Sequence, residues 1–383
     1  MIPYAKQFIT RKDVKAVTKV LKSDYLTQGS STIKFEKKLR NYVNSRFAVS
    51  CNSATSALHI ACLALGLKKG HVAWTTANTF ASTANVIPLC GSNIDLIDID
   101  PQTRNLSIEV LEKKLIIAKK NNLLPKVIIT VHLSGFPSNL EELYILKKKY
   151  KFKLIEDASH ALGAVYQSSK IGSCKYSDIT VFSFHPIKII TTAEGGMATT
   201  NEENLYNKML MYRNNGITRN KNKFLNQKKP SWFYEQHVLG LNYRMNEIQA
   251  ALGISQLKNV DRWVKERNNI SKIYDYSFEN LPFKLPPRNK DIYSSFHLYS
   301  IELKKNFVHL RDYLFEELKR NKISSNIHYI PIYHHPYYKK KGFSKKKFLN
   351  TERYYKSTLS LPMFYGLKRD QQKKVINVIK KIF

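Results

Sequence analysis

One lysine in the chain is set where an amine nucleophile would be wanted. In Phe182-Ser183-Phe184-His185-Pro186-Ile187-Lys188-Ile189-Ile190-Thr191-Thr192-Ala193-Glu194-Gly195-Gly196-Met197, Lys188 lies among apolar neighbours between an expected strand and a Gly-Gly turn. Burial disfavours an ammonium and lowers its pKa, which is what an imine-forming lysine needs. The plain alternative, a surface lysine in a basic chain, fits those neighbours poorly. Asp157 is the second candidate. Lys153-Leu154-Ile155-Glu156-Asp157-Ala158-Ser159-His160 runs a buried strand into a turn and leaves an acidic pair at its carboxyl end. A buried carboxylate there keeps a pyridine nitrogen protonated and makes the ring an electron sink, or it caps a helix opening at Ala158.

Three further stretches carry polar or aromatic groups at expected strand ends. Asn52-Ser53-Ala54-Thr55-Ser56-Ala57-Leu58 opens an apolar helix with small polar residues. Its free N–H groups and dipole suit a phosphate, and a simple N-cap is the other reading. Phe80, in Thr75-Thr76-Ala77-Asn78-Thr79-Phe80-Ala81, could stack on a flat ring or belong to the core. Gly240-Leu241-Asn242-Tyr243-Arg244-Met245-Asn246-Glu247 precedes a helix and reads as loop and cap. There is no GxGxxG, GxxxxGK[ST] or HExxH, and His334-His335 has no companion at metal-ligand spacing. Dinucleotide, P-loop and metal readings therefore fall away.

The elements that must position these groups alternate. Strands are expected at 47–50, 72–75, 94–98, 126–131, 153–156, 180–184 and 196–200, with helices over 55–67, 81–90, 107–120 and 139–150 between them. An amphipathic helix with Val14, Val17, Val20 and Leu21 on one side is expected at 11–22, and another helix at about 33–43. This spacing predicts an α/β fold, a mainly parallel sheet covered by helices, with functional groups at the strands' carboxyl ends. The character changes near 261, where helix 262–278 leads into a Pro-rich stretch. Two domains are expected, 1–260 for the large sheet and 261–383 for a smaller α+β unit.

At 383 residues, with 43% hydrophobic and 12% aromatic content, the chain can bury a sizeable core. Lysine and arginine number 63 against 29 acidic residues, a net charge of +34. Most lysines are scattered on expected helix faces, as solvated surface; only Lys339 to Lys347 forms a cluster. No nucleic-acid partner is expected, and the charge serves instead to attract anionic small substrates. No apolar run approaches the roughly 20 residues of a membrane span, and the start lacks a secretory core. Cys51, Cys62, Cys90 and Cys174 are far apart without a CxxC pair. A cytoplasmic location follows as an expectation.

Taken in order, a phosphate cradle, a stacking aromatic, a ring-nitrogen carboxylate and an imine lysine follow one another at strand ends. That joint pattern points to pyridoxal 5′-phosphate (PLP). The residues also resemble the DegT/DnrJ/EryC family of sugar aminotransferases over nearly the whole chain. The likeness rests on Tyr25-Leu26-Thr27-Gln28-Gly29, Asn52 to Leu58, Glu156 to Ala161, Phe182 to Gly196, Gly240 to Glu247 and His328-Tyr329-Ile330-Pro331-Ile332-Tyr333.

The resemblance implies PLP-dependent transferase fold type I and a role for each matching position. Lys188 holds the cofactor and shuttles the proton; Asp157 pairs with the ring nitrogen. His160 lies near the ring's O3′, Phe80 stacks on it, and Ala54, Thr55 and Ser183 hold the phosphate. Asn242 reaches the phosphate of a partner subunit, so that a homodimer shares its active sites. Tyr4, Asp24, Tyr25, Leu26 and Thr27, with His328, Tyr329, Ile330 and Pro331, contact a nucleotide sugar. It also implies L-glutamate as donor and C4 of a UDP-linked 4-keto-6-deoxy-N-acetyl sugar as acceptor. A UDP-4-keto-pentose, a dTDP-3- or 4-keto-6-deoxyhexose, or a catalytically silent regulator binding nucleic acid are the alternatives. Ser30 and Ile189 stand where the family often has proline.

Overall fold

The computed structural model describes residues 1–226, 228–343 and 348–383. Lys345, Lys346 and Lys347 of the lysine cluster lie outside the described residues. The first strands are β1 (Phe47–Cys51), β2 (Val72–Thr76), β3 (Asn93–Ile97), β4 (Val127–Val131) and β5 (Lys153–Asp157). A small hairpin, β6 (Val165–Tyr166) and β7 (Ser169–Lys170), precedes β8 (Ile179–Ser183) and β9 (Gly196–Thr200). Seven of these form one sheet in the order β1-β9-β8-β5-β4-β2-β3. Only β9 runs against its neighbours β8 and β1. The helices are α1 (Arg11–Leu21), α2 (Ser30–Val43), α3 (Ala54–Ala64), α4 (Ala81–Leu89), α5 (Ile108–Lys120), α6 (Leu140–Tyr150), α7 (Glu203–Arg213), α8 (Glu247–Leu257) and α9 (Val260–Phe278).

The middle of the sheet is buried on both faces because helices cover both. Successive residues point to opposite sides: Ile128, Leu154 and Phe182 join one core with residues of α2, α5, α6 and α9. Their neighbours Ile129, Ile155 and Val181 join the other, with residues of α3, α4 and α7. A two-stranded ribbon, β10 (Ile217–Thr218) and β11 (Glu235–Gln236), lies before α8.

The second unit is built on an antiparallel sheet of β12 (Phe283–Lys284), β14 (Tyr299–Leu303) and β15 (Thr358–Leu361). Helices α10 (Arg311–Arg320) and α13 (Arg369–Lys380) contribute to its core, while α11 (Pro336–Lys340) and α12 (Leu349–Ser357) lie between β14 and β15 in the chain. Two segments cross between the units. β13 (Ile292–Tyr293) pairs with β6 and so returns to the large one. Ile2 packs in the core of the small one and bridges to Ile323. Helix α9 is shared: Val260, Trp263 and Val264 belong to one core, Ile270, Tyr274 and Phe278 to the other. Between them Arg267 is buried, its guanidinium donating to the carbonyls of Phe296 (3.3 Å), His297 (3.2 Å) and Met363 (2.9 Å).

Helix α1 differs from its sequence pattern. Val14 and Leu21 are 57% and 55% exposed, whereas Asp13 is buried. Asp13 closes a capping box with Thr10 and accepts from the amide of Gln256 at 2.7 Å, so a buried polar contact ties α1 to α8.

A second remote contact fixes the start of α2. The Glu247 side chain, 2% exposed, accepts from the N–H groups of Ser31 (2.6 Å) and Thr32 (3.2 Å) and from the Thr32 hydroxyl (2.9 Å). Its backbone N–H donates to Leu26, which ties down the loop ahead of α2. Burial pushes this carboxyl up, but the donors of Ser31 and Thr32 outweigh it and hold it below the usual range. A group with a depressed native pKa stabilises the fold above its unfolded value, and that share is lost as pH falls through the native one. Glu247→Gln is expected to cost about 1–3 kcal/mol at neutral pH, with the difference from wild type shrinking under acid. Urea titrations at neutral pH and at about pH 4 check this; an unchanged midpoint at neutral pH contradicts it.

Candidate active site

A cavity of about 560 Å³ opens at the carboxyl ends of β1, β2, β5 and β8, within the range that small ligands occupy. Ala54, Thr55, Phe80, Asp157, His160, Ser183 and Lys188 all line it, as do Tyr4, His328 and Tyr329. Apart from Tyr4, the lining runs from Ser53 to Tyr329 along the chain and is gathered from strand ends, the starts of α3 and α4, and the 326–329 segment. Tyr4 is carried in by the first segment, and its carbonyl accepts from Met363 on the small unit. Asp24, Tyr25, Leu26, Thr27, Ile330, Pro331 and Asn242 do not line the cavity. The loop of Asp24 to Thr27 and the side chain of Asn242 are exposed. Asn242 bridges to Asn214, beside Tyr243, whose carbonyl accepts from Asn52 N–H.

The turn after β1 is both a cap and a cradle. Ser53 Oγ accepts from Ser56 N–H at 3.1 Å and so caps α3. The N–H groups of Ala54 and Thr55 lie in the helix's first turn, where no intrahelical acceptor exists. A Cβ on Gly196 would come within 2.5 Å of Ala54 N and of Ser53 O, so only glycine lets β9 approach this turn. Thr55 Oγ1 donates to Ser82 Oγ at 2.9 Å.

Asp157 ends β5 with its side chain in the cavity wall, 4% exposed. No helix follows it, so the capping alternative is set aside. Its carboxylate accepts from Thr83 Oγ1 (2.7 Å) and Ser159 N–H (3.1 Å), and Thr83 accepts in turn from Thr79 (2.9 Å). No salt bridge to Asp157 is formed among the described residues. Its neighbour Glu156 faces away and binds His132 at 2.8 Å. Thr79 and Thr83 are functional neighbours that the sequence reading missed. Their i, i+4 spacing around the start of α4 was the available signal.

Lys188 faces Asp157 across the cavity. Burial lowers its pKa to about 8, with Asp157 pulling the other way. The imidazoles around it stay neutral: His160 and His297 are held well below their ordinary value, first by burial and then by nearby cations. His328, bonded to Ser360 Oγ at 2.8 Å, is lowered to about 3 by burial and by Lys188.

The hydrogen bonds of His160 define its tautomer. Ser134 N–H donates to Nδ1 (3.3 Å), which puts the ring proton on Nε2, and Nε2 then donates to Tyr329 Oη at 3.0 Å. The Tyr329 hydroxyl hydrogen is left free for the cavity. Tyr329 itself is set by its N–H donating to Asn78 Oδ1 (3.0 Å), and its ring lies 5.7 Å from that of Phe80.

The donor set fits PLP. A buried carboxylate without a cation partner suits a protonated ring nitrogen, an exposed aromatic at the mouth suits a flat ring, and a helix N-terminus against a glycine strand suits a phosphate.

Residues 7–380 match the DegT/DnrJ/EryC1/StrS aminotransferase family. The chain is 39% identical over 363 residues to the UDP-4-amino-4,6-dideoxy-N-acetyl-beta-L-altrosamine transaminase of Campylobacter jejuni, covering 94% of this chain and 92% of that one. The structure of Helicobacter pylori PseC, an aminotransferase involved in the biosynthesis of pseudoaminic acid, superposes with a TM-score of 0.91 at 32% identity, covering 100% and 99% of the two chains. A putative sugar aminotransferase of Streptococcus pneumoniae, solved in its PMP form, gives 0.90 at 26% identity, covering 100% and 99%.

The tautomer assignment has a direct test. Ring-nitrogen NMR of the protein labelled at histidine should show His160 as a neutral Nε2–H imidazole from about pH 5 to 8, against an unperturbed value near 6.5. A His160 signal that titrates in that window contradicts the assignment.

Proposed function

This chain belongs to the DegT/DnrJ/EryC1/StrS aminotransferase family, and we propose that it moves an amino group from L-glutamate to C4 of a UDP-linked 4-keto-6-deoxy-N-acetyl sugar. Family and named relatives make it a PLP-dependent nucleotide-sugar aminotransferase of fold type I. The finer reading, an amino sugar of the pseudaminic acid type, is supported by the names of the Campylobacter and Helicobacter proteins. What carries it here is one cavity that brings Lys188, Asp157 and the α3 cradle together.

The bound cofactor supplies an aldehyde that condenses with amines and, with its ring nitrogen protonated, a ring that draws electrons from adjacent bonds. On this reading the chain's own groups do the rest. The N–H groups of Ala54 and Thr55, with Ser183, hold the phosphate, and Phe80 covers the ring face. Asp157, oriented by Thr83, keeps the proton on the ring nitrogen. Lys188 Nζ would hold the cofactor's aldehyde and, as a free amine, would take the Cα proton of L-glutamate and supply one at C4 of the sugar. His160 and Tyr329 set hydrogen-bond donors beside these atoms, while Tyr4 and His328 face the sugar. Asn242 serves the phosphate of the opposite subunit, which accounts for its exposure here, and the Asp24–Thr27 loop contacts the nucleotide sugar. Among the described residues no helix is long and apolar enough to cross a membrane.

With a pKa of about 8, roughly a tenth of Lys188 is free amine at pH 7, against about one part in 3,000 for an ordinary lysine. The rate at which apoenzyme captures PLP, followed by its absorbance, should therefore fall about tenfold per pH unit below 8. Lys188→Ala should leave PLP only loosely held and cut turnover by roughly a thousandfold or more. A capture rate that is flat in pH, or borohydride fixing the cofactor to another lysine, removes this role.

The substrate assignment is tested by loading the enzyme in its amine form and offering keto-sugars. The UDP-linked 4-keto-6-deoxy-N-acetyl sugar should discharge it at least tenfold faster than a UDP-4-keto-pentose or a dTDP-keto-hexose, because binding energy of the remote groups positions the ketone. A faster discharge by either of the others overturns the sugar while leaving the chemistry standing.

A further inference from the structure

The turn between β2 and α4 faces two ways. Thr79 donates to Thr83, which donates to Asp157, and Phe80 lines the cavity, so this half of the turn serves the cofactor side. Ala77 and Asn78, just before them, receive the segment that carries His328 and Tyr329. The Ala77 carbonyl accepts from Ile332 N–H at 3.0 Å, and Asn78 Oδ1 accepts from Tyr329 N–H, also at 3.0 Å. The first contact is reinforced by packing: Ala77 and Ile332 share a buried apolar cluster with Ala84, Leu96 and Tyr333. The second rests on one side chain.

Asn78 is 1% exposed, and its Nδ2 meets no acceptor among the described residues. An orphaned buried donor costs stability. The backbone of Asn78 needs no help from the side chain either. Its carbonyl accepts from Thr76 Oγ1 at 2.8 Å, and its N–H donates to the same oxygen at 3.2 Å. What the amide supplies is an acceptor for Tyr329. We propose that Asn78 is a positioning residue for the keto-sugar, acting through Tyr329 and His328 and not on the cofactor.

Tyr329 is held at three points. Its N–H is on Asn78, its ring lies 5.7 Å from that of Phe80, and its hydroxyl is 3.0 Å from His160 Nε2. Without the first, the N–H faces a side chain that cannot accept, and the segment shifts until that donor is satisfied. His328, its neighbour in the chain, moves with it; the His328 ring lies 5.7 Å from that of Tyr4. Tyr4, His328 and Tyr329 are the side chains assigned to the sugar, so the role of Asn78 rests on that assignment. Lys188 and Asp157, which serve L-glutamate as well, are held by other contacts. Asp157 accepts from Thr83 and from Ser159 N–H, and Lys188 N–H donates to the His185 carbonyl at 2.9 Å. Loss of Asn78 Oδ1 is therefore felt in one half-reaction and not in the other.

Two variants of similar volume separate the acceptor from the shape: Asn78→Leu removes it and Asn78→Asp keeps it. Asn78→Ala replaces the leucine variant if that one does not fold. Each holoenzyme is converted to its amine form with L-glutamate, followed by cofactor absorbance, and then discharged with rising amounts of the keto-sugar that wild type takes best. Asn78→Leu should reach the amine form within about twofold of the wild-type rate, while its half-saturating sugar concentration rises at least tenfold. Asn78→Asp should show a clearly smaller rise. Equal slowing of both half-reactions, or equal losses in the leucine and aspartate variants, marks a structural fault and overturns the assignment. Wild-type half-saturation in Asn78→Leu overturns it too. A wild type that no keto-sugar discharges removes the transaminase reading itself, and that is seen before any variant is made.

Discussion

A carboxylate taken out of water and given no cation is costly unless something in its surroundings repays the lost hydration. Asp157 is in that position at the end of β5, with a hydroxyl and a backbone N–H as its donors. Much of the cavity is arranged around it. Thr83 and Thr79 belong to the turn and helix that also present Phe80. Lys188 is close enough to feel its field, which tempers the fall in pKa that burial imposes on the amine. The neutral imidazoles of His160, His297 and His328 add no competing charge.

Much of this was legible in the sequence because the fold class writes itself in burial. Strands covered on both faces are largely apolar, so β4, β5 and β8 stand out as runs, and polar residues reappear at their ends and in the turns after them. Lys188, Asp157, Phe80 and the Asn52–Leu58 turn were found on that logic, while His160 and Ser183 came from the resemblance; all of these places reach one cavity. What was not legible depends on contacts between distant segments. Val14 and Leu21 of α1 face outward while Asp13, an unremarkable residue in the pattern, is buried against Gln256. Glu247 gives no sign in the sequence of capping a helix 216 residues away. The placement of Ile2 in the second core and the return of β13 to β6 likewise involve backbone pairing with distant segments, which no local pattern records. Asn242 and the Asp24–Thr27 loop lie outside the cavity in the single chain, so their roles come from the resemblance and not from position.

The charge of the chain acts on a different scale from the site. Surface pairs such as Lys113–Glu109 and Lys149–Glu112 are exposed and add little to stability. The interior relies on few ions, each held by several groups: Asp178 between Lys147, Lys153 and the backbone of Leu154, and Arg267 among three carbonyls. The surplus of positive charge raises the local concentration of anionic ligands without choosing among them. Choice is left to the walls of the cavity.

Helix α9 gives the molecule its mechanical character. Its first turns are embedded in one core and its last turns in the other, with no proline between, and Arg267 clamps the middle to three carbonyls of the small unit. Such a helix is an axle fixed at both ends. The two units cannot swing apart without bending it or stripping a buried guanidinium of its acceptors. His328 and Tyr329, carried on the small unit's side, meet Lys188 and Asp157 of the large one across the same cavity. The width of the cleft is built in, and access for a large ligand falls to the exposed loops at its mouth.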